Sequence, residues 1–303
     1  MSTRTPLTAL EPGANFISRH IGPSDADTRE MLRTVGADSL DGFIAKVVPE
    51  NIRSKRPLAL NPAMAERTAL SYLRKAAERN EVFTSMIGMG YYGTVTPKVI
   101  LRNVLENPGW YTAYTPYQAE VSQGRLEALM NFQQMVVDLT GLEIANASLL
   151  DEATAAAEAM TMARRVSKSK SNRFLVDANC FPQSIDVVKT RAGYFGFELV
   201  IAAVNPENAA KIESEDFFGA LLQYPNERGE VADISDAISG LKAKGAVVAV
   251  ASDLLALVLL KSPGALGADI ALGSAQRFGV PLGFGGPHAA FFATREAHVR
   301  SMP

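Results

Sequence analysis

Cysteine is nearly absent. The single Cys180 excludes an intramolecular disulfide framework and a multi-cysteine zinc site. Histidine is scarce too. His20, His288 and His298 stand far apart, which argues against a metal centre, and no metal is expected. No sign of charge dominates: 30 Lys and Arg balance 32 Asp and Glu for a net charge of −2. That leaves no field for a polyanion, so a nucleic-acid partner is disfavoured. Long apolar runs are missing as well. The longest, Leu254 to Leu260, has seven residues, whereas a membrane-spanning helix needs about 20. The first residues, MSTRTPLTALEPGANF, hold no apolar core with a cleavage-like site behind it. The expected compartment is a reducing cytoplasm. Glycine (23) and proline (16) are near ordinary usage, which excludes collagen-like and low-complexity classes. What remains is 303 residues, 47% apolar and 20% charged, enough for one large globular domain or two modest ones.

The chain reads in two textures. Residues 1–20 form an arm broken by Pro6, Pro12 and Gly13. Ser24 or Asp25 opens a helix to Val35, with acidic residues in its first turns. Asn61-Pro62 predicts the next helix start, with Met64, Leu70, Tyr72 and Leu73 as its buried face. Residues 1–85 are therefore expected to be a helical arm and extension. Thr96-Pro97 starts a helix through Leu105, and a long one runs from about Ala119 to Thr140 with Gly141 as its cap. Its apolar positions are Leu126, Leu129, Met130, Met135, Val136 and Leu139.

From Ala147 the pattern changes. Small residues fill Ala153 to Ala163, as suits a helix packed closely on a sheet. Apolar strands are predicted at Phe174–Asp177, Leu199–Val204, Ala220–Tyr224, Ala246–Ala251, Ile270–Leu272 and Ala289–Ala293. Helices alternate with them at Pro182–Ala192 and Ser235–Lys244. The expectation is an α/β domain over 86–303, with a mostly parallel sheet covered on both faces. Ser301-Met302-Pro303 carries no capping signal, so the domain is expected to be incomplete at its C-terminus.

Ligands in α/β enzymes sit at the carboxyl ends of strands and at helix N-termini. Four segments qualify. Gly88 to Thr94 holds three glycines and suits either close approach to an anion or a plain turn. Asp151-Glu152 heads the alanine-rich helix, where its charge opposes a phosphate and favours helix capping. Tyr224 to Gly229 is a strong turn carrying Asn226. Gly273 to His288 packs five glycines into a short stretch, which points to a ligand or subunit contact.

Taken together, several stretches resemble the glycine decarboxylase P-protein family of the glycine cleavage system. They are Arg19-His20-Ile21-Gly22-Pro23, Gly88–Thr94, Tyr114-Thr115-Pro116-Tyr117-Gln118-Ala119-Glu120, Leu150-Asp151-Glu152-Ala153-Thr154-Ala155 and Gly283–His288. The resemblance spans the chain in order and is to the N-terminal portion of the long single-chain form, or the first subunit of the split form. It implies the large domain of an aspartate-aminotransferase-type (fold type I) pyridoxal-phosphate enzyme. It also implies a reaction in which glycine loses carbon dioxide and its aminomethyl group passes to the lipoyl H-protein. A carrier lysine forms the Schiff base there, and an aspartate pairs with the pyridinium nitrogen.

This chain departs from that catalytic pattern. Sliding the family's His-Lys-Thr-Phe and following glycine run onto it puts Gln276 at the lysine position. An amide forms no imine. The same slide puts Val250 at the aspartate position, and a shift of three would use Asp253. The resemblance thus implies a portion without covalent cofactor, with pyridoxal phosphate bound by the half that is not here. Its partners would be that homologous half or second subunit, H-protein and glycine. Gly90, Tyr91, Tyr92, Tyr114, Thr115, Tyr117, Gln118 and Glu120 are the candidates for a surface bounding the partner's glycine site. Two other readings compete. One is a stand-alone cofactor enzyme using Lys261 or Lys189; the other is a binding or scaffold module of the same fold.

Overall fold

The computed structural model describes Arg4, residues 20–282 and residues 288–303. Arg19 and 283–287, which carry part of the resemblance, lie outside the described residues. The chain divides into two compact units, Met1–Phe83 and Thr84–Pro303.

The first unit contains helices α1 (Asp25–Thr34), α2 (Leu40–Val47) and α3 (Glu66–Ala77). Ser24 caps α1: its Oγ accepts from Asp27 N at 3.2 Å, and Asp27 Oδ2 accepts from Ser24 N at 3.1 Å. That reciprocal pair satisfies two orphan donors of the first turn. The hydrogen-bonded carboxylate is stabilised, so Asp27 titrates below its usual range. Helix α2 was not predicted. The Asn61-Pro62 start is corrected to Glu66, with Ala65 as an N-cap that makes no side-chain bond. The predicted buried face is corrected as well: Met64, Leu70, Tyr72 and Leu73 are all exposed. No described residue of this unit is buried. An apolar stripe needs a complementary surface, and the described residues of its own unit offer none.

The second unit is built on a seven-stranded sheet. Its strands are β1 (Ile144–Ala145), β2 (Arg173–Asp177), β3 (Glu198–Ala202), β4 (Gly219–Tyr224), β5 (Val247–Ser252), β6 (Ile270–Ser274) and β7 (Ala290–Thr294). They lie in the order β1-β7-β6-β5-β4-β2-β3. The five strands β2 to β6 run parallel in four neighbouring pairs, while β7 is antiparallel to β6 and β1. Helices α4 (Ala119–Thr140), α5 (Glu152–Val166), α6 (Pro182–Phe195), α7 (Pro206–Ser214) and α8 (Ser235–Ala243) complete it. Helix α7 and the short edge strand β1 were not predicted. The expected helix from Thr96-Pro97 to Leu105 forms as a turn at Lys98–Ile100 that widens into a π-helical segment, Leu101–Leu105.

Both faces of the sheet are covered, as the continuous apolar strands require. One face packs Leu175, Leu222, Val248, Val250 and Ala271 under α4 and α8 through Val136, Ile238 and Leu241. The other packs Phe174, Val176, Leu221, Ala249 and Leu272 under α5 and α6. Five alanines of α5, Ala155, Ala156, Ala157, Ala159 and Ala163, have no exposed surface. Their small side chains let the helix ride close to the sheet. Gly219 shows how close, since a Cβ there would lie 2.8 Å from that of Ala163. In α4 the expected stripe is partly corrected. Val136 is buried, but Met130 and Met135 are exposed, and non-helical angles at Ser122 break the first turn. Among the described residues no helix is long and apolar enough to cross a membrane.

Candidate functional site

The parallel strands all deliver their carboxyl ends to one edge, where α5 also begins. A cavity of about 220 Å³ opens there, walled by the residues that follow β4, β5 and β6 and by Gly90, Tyr92 and Thr94. This is where open α/β sheets hold ligands.

Each wall residue has a local cause. Asp151 is the N-cap of α5, its Oδ1 accepting from Thr154 N at 2.7 Å. That capping places the next side chain, Glu152, in the cavity wall. Glu152 is desolvated there, which pushes its carboxyl up to about 7 against hydrogen bonds from Gln223 and Ser274, with Asp253 and Asp151 adding repulsion. Gln223 sits in β4 on the sheet face of Leu221, beside Ala251. Its Nε2 reaches Glu152 Oε1 at 3.5 Å and Ala251 O at 3.4 Å. Ser252 ends β5. Asp253, one residue on, holds Arg277 in a two-pronged ion pair of 2.9 and 2.8 Å. The Arg277 guanidinium lies 4.4 Å from the centroid of the Tyr92 ring, a cation–π contact that orients the pair.

The sequence-predicted residues fall into two groups. Gly90, Tyr92 and Gln276 are in the cavity wall. The Gly88–Thr94 stretch is tied down on both sides. Thr94 Oγ1 donates to Val280 O at 2.8 Å, and Gln183 Nε2 donates to Met89 O at 2.9 Å. Tyr91 stacks edge-on against His288, with ring centroids 5.1 Å apart. The second group lies elsewhere: Tyr114, Thr115, Tyr117, Gln118 and Glu120 are exposed and outside this cavity. Their loop is ordered from within, by Tyr114 OH to Gln118 Oε1 at 2.9 Å and by Arg125 to the carbonyls of Tyr114 and Trp110 at 2.9 and 2.7 Å. Of the two residues considered for the aspartate position, Asp253 is in the cavity wall and Val250 is in the core. Lys189 and Lys261 are exposed and outside the cavity. Of the glycine-dense stretch, Gly273 answers to packing: a Cβ there would strike Ser252 O and the Phe291 ring. Sequence reading missed Gln223 and Ser252, and saw Glu152 only as a helix-capping charge. The available signal was a lone glutamine in an otherwise apolar strand.

The wall does not fit pyridoxal phosphate. No lysine lines it among the described residues, and Gln276 follows β6 where the resemblance expects one. Asp253 is already engaged by Arg277, so it is not free for a pyridinium nitrogen. The only cation in the described wall is that same Arg277, while Glu152 stands at the head of α5 where a phosphate would bind. No group of three or more metal-ligating side chains occurs among the described residues.

The comparisons agree with the resemblance. The glycine cleavage system P-protein family matches residues 18–303. The chain is 71% identical over 303 residues to a glycine dehydrogenase (decarboxylating) of Dechloromonas aromatica, covering all of this chain and 31% of that protein. It is 60% identical over 303 residues to glycine dehydrogenase (decarboxylating) 2 of Pseudomonas aeruginosa, again covering 31% of it. The chain thus spans about a third of the length of these curated relatives. Among solved structures it is similar to an inhibitor-bound glycine decarboxylase (P-protein) of the glycine cleavage system, with a TM-score of 0.83 and 36% identity over 94% of this chain and 64% of that one. A sphingosine-1-phosphate lyase of Burkholderia pseudomallei shares the fold, with a TM-score of 0.60 at 13% identity over 86% of this chain and 64% of that one. The expected fold type I architecture is therefore the one observed, and the chain belongs to the glycine cleavage system P-protein family.

Proposed function

We propose that this chain is the N-terminal, non-catalytic portion of a glycine dehydrogenase (aminomethyl-transferring), and that alone it turns over no glycine. In the assembled enzyme a homologous second portion binds pyridoxal phosphate, which serves as the electron sink for decarboxylation. Glycine and lipoyl H-protein are the partners of that assembly. The observation that carries this reading is the wall itself: Gln276 supplies an amide where an amine nucleophile is needed, and Asp253 is bound to Arg277.

What this chain contributes is surface. Tyr117 is 87% exposed, Tyr114 and Gln118 stand with it on a loop held by Arg125, and Glu120 follows in the first turn of α4. Such rigidly supported tyrosines suit an interface beside a polar site. The loop and the Gly88–Thr94 stretch face the second portion and help bound its glycine site.

The test has two arms. Purified chain, given pyridoxal phosphate and H-protein, is expected to show no exchange of bicarbonate carbon into glycine; measurable exchange overturns the reading. Coexpressed with the remaining C-terminal portion of the Dechloromonas aromatica relative, the chain is expected to copurify and restore exchange. In that assembly Tyr117→Phe or Gln118→Ala is expected to lower glycine turnover. Unchanged turnover and assembly in both would reduce the loop to a local feature.

A further inference from the structure

The cavity at the sheet's carboxyl edge lacks the groups its fold's cofactor needs, yet it is neither filled nor apolar. Its almost fully buried wall residues include Gln223 at 5% exposure and Ser252 at 2%. Gln223 Oε1 and Ser252 Oγ have no hydrogen-bond partner among the described residues. Buried polar atoms are normally paired, and an unpaired one calls for a bound group. The amide is oriented by its Nε2, which has two acceptors in Glu152 and Ala251. The atom left over is therefore an acceptor. Ser252 Oγ can accept as well, and an ionised Glu152 only accepts.

The charges around Glu152 define the sign of the guest. Asp151 adjoins it on α5, Asp253 follows β5, and Arg277 follows β6 but is neutralised by Asp253. Two further titratable groups stand near, Tyr92 in the wall and the buried Cys180 thiol before α6, whose proton is held more tightly mainly by burial, with Asp177 and then Glu152 adding repulsion. No unpaired cation is in the described wall. An anion would meet repulsion here and a cation would not.

We propose that this cavity binds a small primary amine as its ammonium ion, with Glu152 as counter-charge and Gln223 Oε1 and Ser252 Oγ as the other acceptors. An ammonium carries three donors and no acceptor, matching three acceptors in one wall. The volume of about 220 Å³ leaves room for a short carbon tail beside Phe181. The inference rests on the cavity, not on the enzymatic reading above.

The experiment titrates n-propylammonium chloride into the 303-residue chain by isothermal calorimetry, with sodium propionate and n-propanol as matched probes. Saturable one-to-one binding of the ammonium alone is expected. A carboxyl that titrates at about 7 is ionised in about a tenth of molecules at pH 6 and about nine tenths at pH 8, so affinity should rise about tenfold between them. At pH 7 about half a proton should leave on binding, read from the dependence of the heat on buffer ionisation enthalpy. That measurement needs no variant. Glu152→Gln should abolish the pH dependence, and Ser252→Ala should weaken binding several-fold. The proposal is overturned by no saturable binding, by equal binding of propionate or propanol, by binding without proton release, or by unchanged binding in both variants.

Discussion

Helices α3 and α5 have 12 and 15 residues, yet α3 buries none of them while α5 buries nine. By composition α3 is the better candidate for burial, with Leu70, Tyr72 and Leu73, whereas α5 is largely alanine. The difference lies in what each helix meets. Helix α5 lies over a flat, apolar sheet, where small side chains gain close packing along its length. Helix α3 carries an apolar stripe with no complementary surface among the described residues of its own unit. Amphipathicity proposes a buried face, and only a partner surface makes one.

The largest test of that contrast is a pair of truncations in one chain. Phe291 is fully buried, so Phe291→Ala should cost about 3–5 kcal/mol in denaturant unfolding. Leu73 is 62% exposed, so Leu73→Ala should stay within about 0.5 kcal/mol. Equal costs would break the comparison.

Next comes pH. The Glu152 carboxyl rises from 4.5 to about 7 on folding, so the folded state binds its proton more tightly than the unfolded state. That contribution is fully present below about pH 4.5 and is lost as pH rises through about 7. It amounts to on the order of 3 kcal/mol at most. The difference between wild type and Glu152→Gln across pH 4–8 isolates it. A difference that does not vary with pH would show the carboxyl to be solvated.

The Asp253–Arg277 pair should show intermediate coupling. Its side chains keep 24% and 21% exposure, between a surface pair and a buried one. A double-mutant cycle with Asp253→Asn and Arg277→Met should give about 1–2 kcal/mol. A value near zero would mean that solvent screens the pair.

The smallest effect is local. Ser24→Ala removes the capping box of α1 and should cost about 1 kcal/mol of that helix. Amide exchange should quicken over residues 25–34 and stay unchanged in β4 and β5. Quickening across the sheet would mean that the two regions unfold as one.

Much of the fold was legible because its signals are local. Each of β2 to β7 falls on an apolar run found by reading alone, with shifts of one or two residues at the ends. Gly141 ends α4 at φ 66°, as its position in the chain predicted. The misses are elements whose existence depends on neighbours. The two residues of β1 count as a strand only through pairing with β7. Helix α7 buries none of its residues and so leaves no apolar stripe to read. The site was legible in outline and not in chemistry. Gly90, Tyr92 and Gln276 were singled out, but Glu152 reads as a capping charge until the Asp151 cap and the end of β4 are seen to place it in a desolvated wall.

The sequence by itself determined the strand runs, the caps, the alanine helix and the amide at position 276, because each follows from the chemistry of a few adjacent residues. Tertiary structure alone decided which apolar faces found a partner, that Asp253 and not Val250 reaches the cavity, and that Glu152, Gln223 and Ser252 meet there. Those residues lie as far as 100 positions apart in the chain. Only the parallel run β2 to β6, which brings the carboxyl ends of those strands to one edge, gives them a common environment and so a common chemistry.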